Sequence, residues 1–241
     1  MRAISIIYRR ELGAYLRSPF GWVIAAIILL LVGLLFEGYA MSGEQLSAIV
    51  LERYFYYASG VPLFGGVLLA FRLISEERQN HSMVLLNTSP VRDSSIVLGK
   101  FLAALTFLAM LLLLTLYMPI LIKVNGKITS AHLFVGYLGL LLLGAATLAI
   151  GLFASSLAKQ QLVAAVVAAA MVLVLVFIHL LSSKAESPLK DSLEQIDLWW
   201  LHFQGGFMRG VLNLKDVVYY LAVTYFFLLL SIKTLEAKRW Q

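Results

Sequence analysis

The sequence predicts an all-α integral membrane protein with six transmembrane helices, an N-terminal amphipathic interfacial helix and a short cytoplasmic helix. Three observations support this fold class. Of the 241 residues, 61% are hydrophobic and only 13% are charged, whereas charged residues make up about a quarter of an ordinary soluble domain. The apolar residues form six long blocks, most of which approach the roughly 20 residues that a helix needs to cross hydrocarbon. The Lys and Arg residues lie beside those blocks.

We predict one transmembrane domain over residues 1–241, with no soluble domain attached. Residues 1–18 form the interfacial helix, and the predicted spans are 20–36, 54–71, 101–122, 132–153, 162–181 and 217–232. Residues 72–100 form the longest cytoplasmic loop, and residues 182–216 form an extracytoplasmic loop.

The first segment combines an apolar face with a basic one. Ile4, Tyr8, Leu12 and Tyr15 share one helical face, and Arg2, Arg9, Arg10 and Arg17 recur on the neighbouring face. This pattern is typical of a basic amphipathic helix on a membrane surface. A signal peptide is the alternative, but the block at 20–36 is longer than an h-region of about 7–15 residues and lacks an A-x-A-like exit.

The distribution of charge predicts the orientation. With the N-terminus inside, the inner segments hold 12 of the 19 basic residues and carry a net charge of +7, against −1 outside. The positive-inside rule then predicts that both termini are cytoplasmic, and we expect the membrane to be the inner (plasma) membrane of a bacterial cell. Only Lys123 and Lys127 oppose the trend locally. Because the basic residues flank spans, the net charge of +6 does not indicate nucleic acid, and the lack of Cys excludes disulfides and thiolate metal sites.

Small residues cluster in three of the blocks. They are Gly60, Gly65 and Gly66 in the second, Gly136, Gly139, Gly144 and Gly151 in the fourth, and Ala164 to Ala170 in the fifth. Such faces let helices approach closely. The alternative is the general enrichment of Gly in membrane helices.

The loop at 72–100 combines charged residues with a short apolar stretch. Met83, Leu85 and Leu86 are available for burial on a short helix that Pro90 would end. A compact amphipathic helix of this kind suits a groove on a soluble partner. A solvated loop that only reconnects two spans is the alternative.

Four segments of the chain, in order, carry motifs of a known protein family. The most specific segment contains Glu76-Glu77-Arg78, His81-Ser82, Leu86, Pro90 and Gly99-Lys100-Phe101. The other segments are Arg10-Glu11-Leu12 with Ser18-Pro19-Phe20, Gly151 to Leu157 with Gln160, and Leu235-Glu236 with Arg239-Trp240. These segments resemble ABC-2 type transporter permeases, in whose first cytoplasmic loop E-E-R-x-x-G-T leads to a leucine-rich turn, S-P and G-K-F. The best parts resemble the gliding-motility-associated branch. His81-Ser82 replaces the family's G-T pair, which removes the glycine of its tight turn.

The resemblance implies half of a transporter that exports a substrate or extracts it from the bilayer. It implies two protein partners, namely an ABC ATPase subunit and a second permease subunit, identical or related. The ATPase would bind the coupling helix through Glu76, Glu77, Arg78, His81, Ser82, Leu86 and Pro90, while Arg9, Arg10 and Glu11 belong to the interfacial helix. It implies no cofactor on this chain, because ATP and Mg²⁺ would bind to the ATPase.

The sequence contains no phosphate-binding loop of its own. No G-x-x-x-x-G-K-[ST] run occurs, and both Gly99-Lys100 and Gly126-Lys127 lack the first Gly and the trailing hydroxyl residue. The energy for transport must therefore come from another polypeptide.

Two other functions compete with transport. Glu76-Glu77 resembles the E-E-x-x-x-R pattern of glutamate-type intramembrane proteases, but His81 stands where that pattern has Arg. Neither an H-E-x-x-H zinc pattern nor a G-x-S-x-G elbow is present. A non-transporting membrane scaffold or assembly factor is the other alternative, since a fold does not fix function.

Further residues of interest lie near the extracytoplasmic side. Leu198-Trp199-Trp200-Leu201 and Phe203 form an aromatic cluster that suits the membrane interface or a re-entrant element buried in protein. We predict interfacial anchoring, with substrate contact as the alternative. His179 is predicted to be a hydrogen-bonded interfacial residue, with a proton path as the alternative. A seam between two subunits would draw on Val23 to Leu35 and Pro62 to Phe71.

Overall fold

The computed structural model describes residues 2–40, 46–80, 91–182, 184 and 189–239. Within this part of the chain, the structure is helical with short connecting turns and has no β-strand. Six of the described helices are long and apolar enough to cross a membrane: Pro19–Ala40 (span 1), Ser47–Gln79 (span 2), Asp93–Val124 (span 3), Ser130–Leu157 (span 4), Gln161–Ser182 (span 5) and Leu214–Lys238 (span 6). The predicted all-α membrane fold with six spans is therefore confirmed.

Several spans are built from more than one helical segment. The α-helices are α1 (Arg2–Arg17), α2 (Pro19–Leu35), α3 (Ser47–Ala58), α4 (Gly66–Ala70), α5 (Arg72–Gln79), α6 (Asp93–Leu114), α7 (Tyr117–Asn125), α8 (Ser130–Leu157), α9 (Gln161–Ser182), α10 (Leu189–Ile196) and α11 (Leu214–Arg239). Phe36–Ala40, Val61–Gly65 and Trp200–Gln204 form π-helical turns, and Phe207–Arg209 forms a 3₁₀ turn. The irregular turns are concentrated in spans 1 and 2 and in the segment before span 6.

The predicted interfacial helix α1 is packed along α6, at one end of the bundle. Ile7 is buried against Gly99, and a Cβ at that glycine would lie 2.9 Å from the Ile7 Cβ. The absence of a side chain at Gly99 therefore brings the two helices together. The face of α1 that the sequence assigns to a membrane surface thus contacts protein, whereas Ile6 and Arg9 are exposed.

Span 4 forms the core of the bundle and packs against spans 2, 3, 5 and 6. Each glycine of its predicted small-residue face meets a different neighbour: Gly136 meets Phe55, Gly139 meets Phe207, Gly144 meets Leu108 and Gly151 meets Ala70. A Cβ at any of these positions would overlap the partner or approach it too closely. These glycines are therefore packing positions, and general enrichment does not explain them.

Span 2 contains a π-helical turn at Val61–Gly65, which disturbs the regular pattern of backbone hydrogen bonds. The hydroxyl of Thr147, on span 4, donates to the carbonyl oxygen of Pro62 at 2.7 Å. Gly66 leaves the space that this threonine occupies. The same carbonyl also accepts from the backbone N–H of Gly66, so the threonine adds a second hydrogen bond that ties the irregular turn to span 4.

A second irregularity in span 2 lies at Phe71, where α4 ends and α5 begins. The fully buried Ser155 of span 4 forms hydrogen bonds with the backbone at this point. Its Oγ accepts from the backbone N–H groups of Ile74 and Ser75, each at 3.0 Å, and donates to the carbonyl oxygen of Phe71 at 2.7 Å. Spans 2 and 4 are therefore joined by polar contacts at two levels.

The segment at 72–100 is more helical than the predicted loop. Span 2 continues as α5 to Gln79, and α6 begins at Asp93. The helix continues beyond the end of the apolar block because Leu73 and Ile74 form a buried face, while charged residues occupy the other face. The rest of the predicted coupling helix, with His81, Ser82, Leu86 and Pro90, lies outside the described residues.

The predicted loop at 182–216 also contains regular structure, namely α10, a π-helical turn and a 3₁₀ turn. The αL conformation of Gly210, with φ of 76°, closes the 3₁₀ turn beside His132. His132 Nε2 lies 2.9 Å from the carbonyl oxygen of Met208. This segment is thereby attached to the beginning of span 4, at the end of the bundle opposite α1.

We predict that Gly136→Ala destabilises the protein, because the new methyl group would overlap the buried Phe55 ring. Overpacking of a core costs about 1–3 kcal/mol, so the midpoint of thermal unfolding in detergent should fall. Gly13→Ala is the matched control, since nothing lies within 4 Å of its Cβ position in α1. Equal unfolding midpoints for the two variants would contradict the packing role of Gly136.

Candidate functional site

A cluster of four charged side chains joins α1, α5 and α6 at the α1 end of the bundle. The Nζ of Lys100, on α6, lies 3.0 Å from Glu11 Oε1 and 3.0 Å from Glu77 Oε1. The Nη2 of Arg10 contacts the same two oxygens, at 2.7 and 2.9 Å respectively. Each carboxylate is therefore shared by two cations, and we call these four residues the charged cluster.

The charged cluster is largely shielded from solvent. The Lys100 side chain is 2% exposed, and those of Glu11 and Glu77 are 16% and 13% exposed. Buried charges of this kind are costly unless they are paired. Two carboxylates around one buried ammonium, with Arg10 on the outer side, meet that requirement.

The electrostatics of Glu11 reflect these contacts. Burial opposes its ionisation, but the charge of Lys100 and the hydrogen bonds from Arg10 and Lys100 outweigh burial, so the pKa of Glu11 is lowered. A carboxyl group whose pKa is lower in the folded state stabilises the fold above its unfolded pKa. That contribution is present at neutral pH and is lost as the pH falls through the folded pKa.

Glu76 is adjacent to the charged cluster but belongs to a separate pair. It accepts two hydrogen bonds from Arg72, one turn earlier, at 2.8 and 3.1 Å. The Arg72 guanidinium also lies over the Phe20 ring, 4.6 Å from its centroid. With a side chain that is 36% exposed, Glu76 is the more accessible of the two adjacent glutamates.

The opposite flank of α5 contacts the end of span 4. Arg78 Nη1 donates to the carbonyl oxygen of Ala158 at 3.4 Å, and Lys238, near the end of span 6, donates to that of Leu157 at 2.9 Å. The last carbonyl groups of a helix lack partners within it, and its C-terminus favours cations. Two cations from different helices thus cap span 4.

The last residue of α5 contacts the beginning of span 5. The side-chain Oε1 of Gln79 accepts from the backbone N–H of Gln161 at 3.3 Å. The tip of α5 is consequently fixed to α1 and span 3 on one side and to the turn between spans 4 and 5 on the other. Residue 80 and the segment 81–90 follow directly in the chain.

The structure brings together five of the sequence-predicted site residues at this end. Glu76, Glu77 and Arg78 lie on α5, and Arg10 and Glu11 approach them from α1. Arg9 is exposed and lies outside the charged cluster. No role was predicted for Lys100 from the sequence. A single Lys at the start of an apolar block, directly after a glycine at which another helix can approach, is the feature that could have identified it.

In the aromatic segment at the opposite end, Trp199 and Phe203 are buried in protein, so interfacial anchoring is wrong for these two residues and burial, the other option that the sequence left open, is observed. Trp199 Nε1 donates to Ser59 Oγ at 2.9 Å. The buried carboxylate of Asp197 accepts from the backbone N–H groups of Trp199 and Leu201, at 3.0 and 2.7 Å. The Asp197 contacts order the segment itself, and the Trp199 contact attaches it to span 2.

Two histidines of this end lie beside carboxylates that are distant in sequence. His202 Nδ1 lies 2.7 Å from Asp216 Oδ1, and both residues are buried. His179 stacks on Trp200 and lies 3.9 Å from Asp197. No group of three or more potential metal-binding side chains occurs among the described residues.

Comparison with known proteins identifies the family. A family model described as ABC-2 family transporter protein matches residues 5–233, nearly the whole chain. A search of curated proteins gives no match. The matched region begins within α1, ends within span 6 and includes all four residues of the charged cluster. The chain therefore belongs to the ABC-2 transporter family, as a membrane-spanning permease component of an ABC transporter.

Proposed function

We propose that this chain is the permease subunit through which an ABC transporter exports its substrate, driven by a separate ATP-binding subunit. The ATPase docks at the α1 end, on the loop that follows α5. The observation that carries this proposal is the fixation of the α5 tip by the charged cluster on one flank and by Arg78 and Gln79 on the other.

The position of α5 supports a coupling role. It continues span 2 beyond the membrane-spanning apolar block, so a force on its tip acts directly on that span. A displacement of the α5 tip is transmitted by the charged cluster to α1 and span 3. The contacts of Arg78 and Gln79 transmit it to spans 4 and 5. A partner that binds next to Gln79 therefore acts on most of the bundle through side chains that touch.

The proposed orientation places the α1 end in the cytoplasm of a bacterial cell. The exposed basic residues of α1 then face the anionic surface of the inner membrane, where each contributes about 1 kcal/mol of attraction. α1 is thus held by protein on one face and is available to lipid head groups on the other. The sequence counts of +7 inside and −1 outside agree with this orientation.

A second permease subunit, identical or related, completes the transporter in this proposal. Much of the surface of spans 1, 5 and 6 is exposed in the single chain, which leaves room for both lipid and a partner. Assignment to the gliding-motility-associated branch stays a prediction, because the match covers the family as a whole.

We predict that affinity purification of the tagged chain from native membranes recovers an ABC ATPase with a G-x-x-x-x-G-K-[ST] loop. Replacing residues 81–90 by a Gly-Ser segment of equal length should abolish this recovery while the chain stays in the membrane. Lys123→Ser with Lys127→Ser is the control at the opposite end, and it should leave the recovery unchanged. If the wild type recovers no ATPase, the scaffold alternative is favoured; undiminished recovery by the loop variant would refute docking there.

Single cysteines test the orientation, because the chain has no natural Cys. Asn80→Cys and Lys127→Cys both place the thiol at exposed positions, at the two ends of the bundle. We expect a membrane-impermeant maleimide to label position 127 in intact cells and position 80 only after permeabilisation. The reverse pattern would place the docking loop outside and would contradict the proposed function.

We predict that Lys100→Met destabilises the protein, because it leaves Glu11 and Glu77 without their buried cation. Breaking a buried ion pair costs about 3–5 kcal/mol, so thermal stability should fall and hydrogen exchange in α1 should rise. The exposed Lys123→Met is the matched control and should stay within about 0.5 kcal/mol. Strictly additive effects of Lys100→Met and Glu77→Gln in a double-mutant cycle would show that the two side chains are not coupled.

A further inference from the structure

An apolar groove runs between spans 1 and 2 in the half of the bundle away from α1. It is lined by Ile27, Leu31 and Leu35 from α2 and by Val61 and Phe64 from the π-helical turn of span 2. Its volume is about 340 Å³. Trp199, which is fixed by its hydrogen bond to Ser59, also lines the groove.

A polar pocket continues the groove toward the end of the bundle opposite α1. Its wall includes Glu52, Arg53 and the rings of Tyr39, Tyr56 and Tyr57, and its volume is about 490 Å³. Tyr56 and Tyr57 line both cavities, so the two spaces meet at these rings. Both volumes fall within the range of about 300–1,000 Å³ that is usual for ligand pockets.

The two charged residues of the pocket are not used by the fold. Neither the Glu52 carboxylate nor the Arg53 guanidinium makes a hydrogen bond or an ion pair with the described part of the chain. Every other acid of span 2 is paired, since Glu76 binds Arg72 and Glu77 binds Lys100. An adjacent acid and base that line a recess are thus available to a ligand with charges of both signs.

We infer that this composite groove binds a zwitterionic amphiphile, with its tail along spans 1 and 2 and its head group in the polar pocket. Arg53 suits a phosphate group, because a guanidinium presents paired donors to its oxygens. Glu52 and the tyrosine rings suit an ammonium group, which is attracted by carboxylates and by aromatic faces. The inference deepens the proposed function by naming the substrate class, but the binding itself requires no ATPase.

The head group, and not the tail, sets the selectivity. Lipid tails in the surrounding bilayer are as apolar as the groove, so moving a tail into the groove gains little. The charged contacts have no equivalent among neutral head groups, and hydrogen bonds to charged groups contribute about 1.5–3 kcal/mol each. Lipids with identical tails should therefore be distinguished by charge.

Native mass spectrometry of the purified chain in a neutral maltoside detergent tests the inference. Phosphatidylethanolamine, phosphatidylglycerol and a neutral glucolipid are added, all with the same acyl chains. We expect phosphatidylethanolamine to bind at least tenfold more tightly than the glucolipid. Arg53→Gln should weaken both phosphate-bearing lipids about tenfold, whereas Glu52→Gln should remove the preference for phosphatidylethanolamine over phosphatidylglycerol.

Matched variants separate the groove from general lipid contact. Ile27→Trp should fill the groove and weaken all three lipids, whereas Val174→Trp places the same ring on the exposed surface of span 5 and should not. Lys127→Gln removes a charge at the same end of the bundle, outside the pocket, and should change no affinity more than twofold.

Three results would overturn the inference. The first is equal affinity for the three lipids, and the second is an effect of Arg53→Gln no larger than that of Lys127→Gln. The third is efficient disulfide formation between two copies of Phe64→Cys, which would place a second copy of the chain over the groove, as the predicted seam at Val23 to Leu35 and Pro62 to Phe71 requires. Recovery of the ATPase from the same membranes is measured separately. If the lipids bind without head-group selectivity while the ATPase is still recovered, this inference fails and the proposed function stands.

Discussion

The absence of water in a bilayer is the constraint on which this structure depends, because every backbone polar group at that depth needs a partner from the protein. Span 2 departs from regular helical geometry at Val61–Gly65 and again at Phe71. Thr147 and Ser155, two turns apart on span 4, form hydrogen bonds with the backbone of span 2 at these two places. The glycines of span 4 permit the close approach that these short side chains require. The side-chain hydrogen bonds and the close packing at glycines therefore occur at the same interface, between spans 2 and 4.

The irregular geometry of span 2 lets one helix serve both ends of the molecule. At the α1 end it presents Glu77 to the charged cluster. Toward the opposite end its π-helical turn presents Val61 and Phe64 to the apolar groove, and the preceding helix presents Glu52 and Arg53 to the polar pocket. A π-helical turn rotates the side chains that follow it relative to a regular helix. The contacts of Thr147 and Ser155 therefore fix the relative orientation of the two candidate sites.

The sequence was sufficient for the six spans, because length and hydropathy alone identify segments that cross hydrocarbon. It also identified Arg10, Glu11 and Glu77, through motif resemblance. The ion pair between Glu11 and Lys100 was not predicted, because it joins positions 89 residues apart and depends on how α1 packs against α6. Trp199 was misplaced for the same reason: an aromatic residue in a polar segment indicates an interface, and nothing local reveals its hydrogen bond to Ser59.

The charged cluster also limits how the α1 end can move. Separating α5 from α1 would leave Lys100, which is 2% exposed, with a buried charge and a lost carboxylate partner, and such uncompensated charges are strongly unfavourable. On the other flank, Ser155 holds the beginning of α5, whereas the contacts of Arg78 and Gln79 at its tip are single hydrogen bonds with backbone groups, at 3.4 and 3.3 Å. The less costly displacement therefore carries the tip of α5 together with α1 and the beginning of α6, which bears Lys100, and breaks contacts with the turn between spans 4 and 5. In the proposed transporter, the interfacial helix and the tip of span 2 would accordingly respond to the ATPase as a single element.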